Sequence, residues 1–274
     1  MSLSVDSAKY FTSSYVSQTQ FVQPDLYGSS KDPDKAIQEK NEAAVAPPPV
    51  SGKPLLASND MRLLMLRGVD QGGVEGYKDI LSAFYADPEN RNNPVSFLKN
   101  LSADGIALLK QAQSLPADAS INVESLNKEE ALNFILPQSG QVDLNNDGLI
   151  ANANGGKGFV FPPPNAPQNV KDAWADATNG LSDSDKFLLS GQFMFSLFSA
   201  NLHVDENGKV TQTEPGDPGW RNVFADDGYS YQDAIEKFKA GNEFNKPYNT
   251  NEIYERTKTL LAQLDKAFDA HNVA

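Results

Sequence analysis

The chain is predicted to fold as an all-α protein, a multi-helix globular domain. Apolar residues recur at helical spacing in several separate segments. Helix-starting residues stand just before those segments. Convincing alternation for a sheet is absent, apart from one hairpin signal at Asn207-Gly208.

The elements follow in order. A short helix starts near Asn59, carries Met61, Leu63, Leu64, Met65 and Leu66, and ends near Gly68. A second runs from Val74 to Ala86 with Tyr77, Ile80, Leu81 and Phe84 at helical spacing. Ser102, with Asp104 in the first turn, caps a third. Asn127 and Glu130 have the spacing of a capping box, and Pro137 stops the helix they open. Pro167 opens a helix whose face holds Val170, Trp174 and Ala177. Ser182 and Asp185 start a long helix reaching about Asn201. Its apolar residues, Phe187, Leu188, Leu189, Phe193, Met194, Phe195, Leu197 and Phe198, cover nearly every face and predict a central helix. Ser230 and Thr250 open the last two, the final one striped by Ile253, Thr257, Leu260, Leu261, Leu264 and Phe268. The helical body spans 56–272, with possible subdomains 56–137 and 138–272.

Residues 1–55 differ in composition. They are rich in Ser, Thr, Gln and Asp and close on Ala46-Pro47-Pro48-Pro49, a Pro triplet that favours a semi-rigid extended spacer. A disordered tail with a Pro-rich linker is expected, with Tyr10, Phe11, Tyr15, Phe21 and Tyr27 available to dock on a protein partner.

Composition excludes several functions. The 274 residues contain no cysteine and two histidines, which removes disulfides, thiolate nucleophiles and Cys-ligated metals. The charge of −13 argues against nucleic acid as a partner. No apolar run has the ~18–20 residues of a membrane span, and the N-terminus lacks a signal-peptide pattern. Residues 138–229 hold 12 acidic and 5 basic groups, a net −7 of the total −13. No acid pair, nucleophile elbow or histidine triad stands out, so no enzyme is expected.

Within that acidic segment lies Asp143-Leu144-Asn145-Asn146-Asp147-Gly148-Leu149-Ile150. Side-chain oxygens fall at relative positions 1, 3 and 5, a glycine at 6, and a branched apolar residue at 8. A hard cation takes six to eight oxygens, and alternate residues of a tight loop point theirs inward. The pattern resembles the calcium loop of EF-hand and dockerin-type repeats. The resemblance implies Ca2+ bound by Asp143, Asn145, Asp147 and the Leu149 carbonyl, with Asn154 at position 12. That position holds a bidentate Glu in EF-hands. Asx-rich turns of this composition also form without metal.

Sixty residues on, His203, Asp205, Asn207, Gly208, Val210 and Glu214 occupy positions 1, 3, 5, 6, 8 and 12. If the loops pair as in EF-hands, Asp205, Asn207 and Glu214 become ligands and Ile150 bridges Val210. The rival is a short β-hairpin turning at Asn207-Gly208. The expected function is a non-enzymatic calcium-binding or calcium-stabilised protein, of bacterial type and secreted or at the cell surface without a cleaved signal. The alternative is an interaction protein of a secretion or surface assembly with no metal.

Overall fold

The computed structural model describes residues 55–204 and 206–273. The expected tail and linker, and Asp205, lie outside the described residues. Among those described, ten α-helices carry the fold, with four short strands in two separate ribbons. The chain divides into two compact units. The first holds the described residues up to Asn145 together with Ile150–Gly158, and the second holds Asn146–Leu149 and everything from Phe159 onward. The division therefore falls within the Asp143 loop rather than at Pro137.

The first unit contains α1 (Ser58–Leu66), α2 (Gln71–Ala86), α3 (Pro88–Asn92), α4 (Pro94–Lys99), α5 (Ala103–Ala112) and α6 (Lys128–Ile135). Each start has a local cause. The Gly73 N–H donates to Asp70 at 2.7 Å, and the Gly105 N–H donates to Ser102 at 3.2 Å. The short α3 and α4 each open on a proline behind a capping Asp87 or Asn93. At α6 the Glu130 N–H donates to Asn127, and the Asn127 N–H donates to the Glu130 carboxylate at 2.9 Å, which is the expected capping box. Tyr77, Ile80, Leu81 and Phe84 of α2 meet Phe97 and Leu98 of α4, Leu109 of α5, and Leu132, Phe134 and Ile135 of α6 in one core. The polar groups it encloses are paired. The Tyr77 hydroxyl donates to the Ile135 carbonyl at 2.8 Å, and the Arg67 guanidinium donates to the Ala112 carbonyl.

The second unit contains α7 (Gln168–Ala177), α8 (Asp183–Ser199), α9 (Tyr231–Asn245) and α10 (Asn251–Ala270). Its core is aromatic. The Phe193 ring stacks on Phe161 with centroids 3.7 Å apart and meets Phe238 edge-on at 5.0 Å. Leu260, Leu261, Leu264 and Phe268 bring the α10 stripe into the same cluster. The long helix differs from expectation here. Only Leu189, Phe193 and Leu197 of α8 are buried. Phe187 is 73% exposed and Phe195 70%, so α8 covers the core with one face and is not enclosed.

The two ribbons are β1 (Ile150–Ala151) with β2 (Lys157–Gly158), and β3 (Leu202–Val204) with β4 (Val210–Gln212), both antiparallel. Their turns run through Asn154-Gly155 and Asn207-Gly208. Each glycine sits in the left-handed region, at φ +80° and +77°, where a side chain would be strained. Of the glycine-rich stretch Gly155–Gly158, Lys157 and Gly158 form β2.

Candidate functional site

The Asp143 loop is gripped in the first unit by one face of α6. Glu129 and Asn133 stand four residues apart on that helix, both buried among apolar neighbours. The Glu129 carboxylate accepts the Leu144 N–H at 2.9 Å and the Asn145 N–H at 3.4 Å on one oxygen, and the Ala151 N–H at 2.9 Å on the other. The Asn133 amide accepts the Val142 N–H at 2.8 Å and donates to the carbonyls of Val142 and Ala151 at 2.9 and 3.1 Å. Both ends of the segment, Val142–Asn145 and Ala151, are thus held by backbone hydrogen bonds to two side chains. Glu129 is 5% exposed and Asp143 1%.

The tip of the loop is held within the second unit. The Leu149 N–H donates to the Asp147 carboxylate at 2.9 Å, closing an Asx turn. Trp220 donates its indole N–H to the Asp147 carbonyl at 2.8 Å, and the Asn222 amide donates to the Asn146 carbonyl at 3.0 Å. Asn146 and Gly148 both have positive φ, +55° and +82°. A Cβ at position 148 would stand 2.8 Å from the Asn222 side-chain oxygen, so glycine is required there twice over. Leu149 packs with Leu197 and Val223.

The remaining candidates part from the EF-hand pattern. Asn154 is exposed and accepts the Gly156 N–H at 3.1 Å, serving the β1–β2 turn. Ile150 pairs with Gly158, and Val210 with Val204. The expected bridge between Ile150 and Val210 is therefore replaced by two local ribbons, and the hairpin reading of 202–212 holds. The register pairs Val204 with Val210, so the turn spans the five positions 205–209 rather than the two residues Asn207-Gly208 alone; it is still a shorter-range solution than pairing loops sixty residues apart. Asn207 lies at the hairpin tip and Glu214 beyond β4, both exposed. The His203 ring nitrogen lies 2.8 Å from the Thr213 hydroxyl, an intra-hairpin contact.

No family model, curated protein or solved structure matches the chain. Among the described residues no group of three or more His, Asp or Glu side chains converges as a metal cage. Sequence reading missed Glu129 and Asn133. Their signal was present, as two polar residues at i and i+4 on the apolar face of a helix, but their targets lie up to 22 residues away. The second histidine, His271, lies with its ring nitrogen 2.6 Å from the Asp176 carboxylate, where α10 ends beside α7. It is a helix-terminal ion pair when the ring is protonated.

Proposed function

We propose that the protein is a non-enzymatic calcium-binding or calcium-stabilised protein whose site is the loop from Asp143 to Leu149. The observation that carries this reading is the order of donors along the loop. Oxygen side chains stand at Asp143, Asn145 and Asp147, and the glycine that follows has the left-handed backbone such a loop needs. The proposed ligands are those three side chains and the Leu149 carbonyl. Two carboxylates make the site weak, with a Kd of about 10⁻⁴–10⁻³ M, in the range of extracellular modules. Such an affinity favours a protein that works outside the cell.

Calorimetric titration with CaCl2 tests the proposal. Saturable heat is expected from the full chain and none from an Asp143→Ala, Asp147→Ala variant. Equal heats from the two proteins, or none from either, would sink it. The second reading is an interaction protein without metal. Phe244 and Tyr248, exposed in the second unit, favour it alongside Phe187 and Phe195.

A further inference from the structure

In the second unit, charged residues mark the helix faces that meet water. Glu236, Lys237 and Glu243 stand exposed on α9, and Glu255, Lys258 and Lys266 on α10. The outer face of α8 differs. From Phe187 to Val204 the chain carries no Asp, Glu, Lys or Arg. Along that face Phe187 is 73% exposed, Phe195 70% and Met194 37%. Exposed aromatic rings on a charge-free helix face mark a surface that a partner covers.

The pattern on this face is symmetric. Gly191 is the middle residue of α8, which runs from Asp183 to Ser199. Phe187 precedes the glycine by four positions, and Phe195 follows it by four. Residues four apart form one ridge on a helix surface. Leu189, Phe193 and Leu197 form the buried ridge on the opposite side. The outer ridge is thus ring, gap, ring, and reads alike in both directions. A mid-helix glycine weakens the helix relative to alanine. Nothing within the chain requires one at 191, because a Cβ there would meet nothing within 4 Å. What glycine does permit there is close approach by another backbone.

We propose that the outer face of α8 is a homodimer contact, in which α8 of a second copy crosses antiparallel at Gly191 and Phe187 of each copy packs on Phe195 of the other. The symmetry singles out a second copy. A two-fold axis at position 191 sets each ring against its counterpart, so one pattern serves both sides. Ridges of this kind interlock at a crossing angle of about −50°. The antiparallel order follows from charge, since a parallel pair would bring together two first turns that each hold Asp183 and Asp185. A chain of net −13 can meet its own copy here because the face itself is uncharged.

The exposed parts of two phenylalanines and a methionine offer roughly 350 Å2 per copy, to which the flanking Ser190 and Phe198 add. That is at the small end of specific interfaces, so the dimer is weak, with a Kd of about 10⁻⁵–10⁻⁴ M. At about 1 µM the chain is a monomer. The contact is independent of calcium.

Sedimentation velocity on the full chain from about 5 to 500 µM tests the proposal, and the average mass should rise toward that of a dimer. Raising NaCl from about 0.05 to about 0.5 M should leave the association as tight or tighter, because salt screens repulsion between acidic copies and no ion pair holds them. Phe187→Ser and Phe195→Ser should each weaken it at least about tenfold with the helical circular dichroism retained. Gly191→Gln should weaken it about tenfold while raising the thermal midpoint of the monomer by about 2 °C, since a good helix former replaces glycine. A role confined to the monomer would not move the two in opposite directions. The chain has no cysteine, so Gly191→Cys supplies a single thiol at the crossing. Mild oxidation should trap that variant as a covalent dimer and trap Lys266→Cys, at an exposed position of α10, far less. A chain that stays monomeric up to about 500 µM overturns the proposal, and the face then serves a different protein. Association that Phe187→Ser and Gly191→Gln leave unchanged overturns it too, because the contact then lies elsewhere.

Discussion

At position 129 a carboxylate surrounded by apolar residues accepts N–H groups from three residues of the following chain. Charge-assisted bonds of this kind are about twice as strong as neutral ones, and losing one acceptor inside a core strands its donor. Glu129→Gln keeps the shape but replaces one acceptor oxygen by an NH2 that faces an N–H. It is expected to cost about 2–3 kcal/mol. The measurement is hydrogen exchange, with the amides of Leu144, Asn145 and Ala151 exchanging faster while those of α2 in the same unit remain protected. Uniform loss of protection would instead mean that Glu129 holds the whole core. At this scale the sequence is legible where the interaction is local. Ser102, Asn127, Ser182, Ser230 and Thr250 all cap as their spacing predicts, because donor and acceptor lie within three residues. Glu129 is not legible, because what it meets depends on chain brought back from elsewhere.

Among the elements, α8 is the most instructive. Its sequence places phenylalanines at 187, 193, 195 and 198, yet Phe193 is enclosed while Phe187 and Phe195 face solvent. Periodicity counts the apolar faces of a helix but not the neighbours available to cover them, so a helix apolar all round reads as central. The two kinds of position should respond differently. Phe193→Ala empties the middle of the aromatic cluster and is expected to cost about 3–5 kcal/mol. Phe187→Ser is expected to change stability by less than about 0.5 kcal/mol. Urea denaturation of the two variants distinguishes them, and similar losses would show that α8 is covered on both faces in solution. The ribbons were legible only in part. The hairpin at Asn207-Gly208 announces itself through its turn residues, whereas β1 and β2 are two residues each, too short for any alternation to register.

For the whole molecule, the charge of −13 and a pI near 4.6 make acid the informative variable. In the second unit Arg256 donates to Asp185 at 2.6 Å, and that hydrogen bond, with one from Ser182, holds the Asp185 carboxyl below the ordinary range. A carboxyl depressed in the folded state contributes stability above its unfolded pKa, and the contribution disappears as pH falls through the lower folded value. Asp185→Asn is therefore expected to lower the thermal midpoint by a constant amount from pH 7 to about pH 5. The difference from the parent should begin to narrow once pH falls below the unfolded carboxyl value and close as it passes the lower folded one. A gap that does not narrow at all on acidification would mean that Asp185 acts through packing or capping alone. Helical class was legible at this scale from repeated local patterns. The place where the two units divide was not, because the segments 146–149 and 150–158 belong to different units. Spacing along the chain does not record that exchange.

The two ribbon turns also set how the chain ages. In Asn154-Gly155 and Asn207-Gly208 the asparagine is exposed and the following residue carries no side chain to shield its backbone nitrogen. That nitrogen can attack the asparagine side-chain carbonyl, expelling ammonia and forming a succinimide that opens to aspartate or isoaspartate. Each event adds one negative charge and, in the isoaspartate product, one extra backbone carbon within a short turn. A stored sample should separate on anion exchange into later-eluting forms. The value of −13 belongs to the freshly made chain.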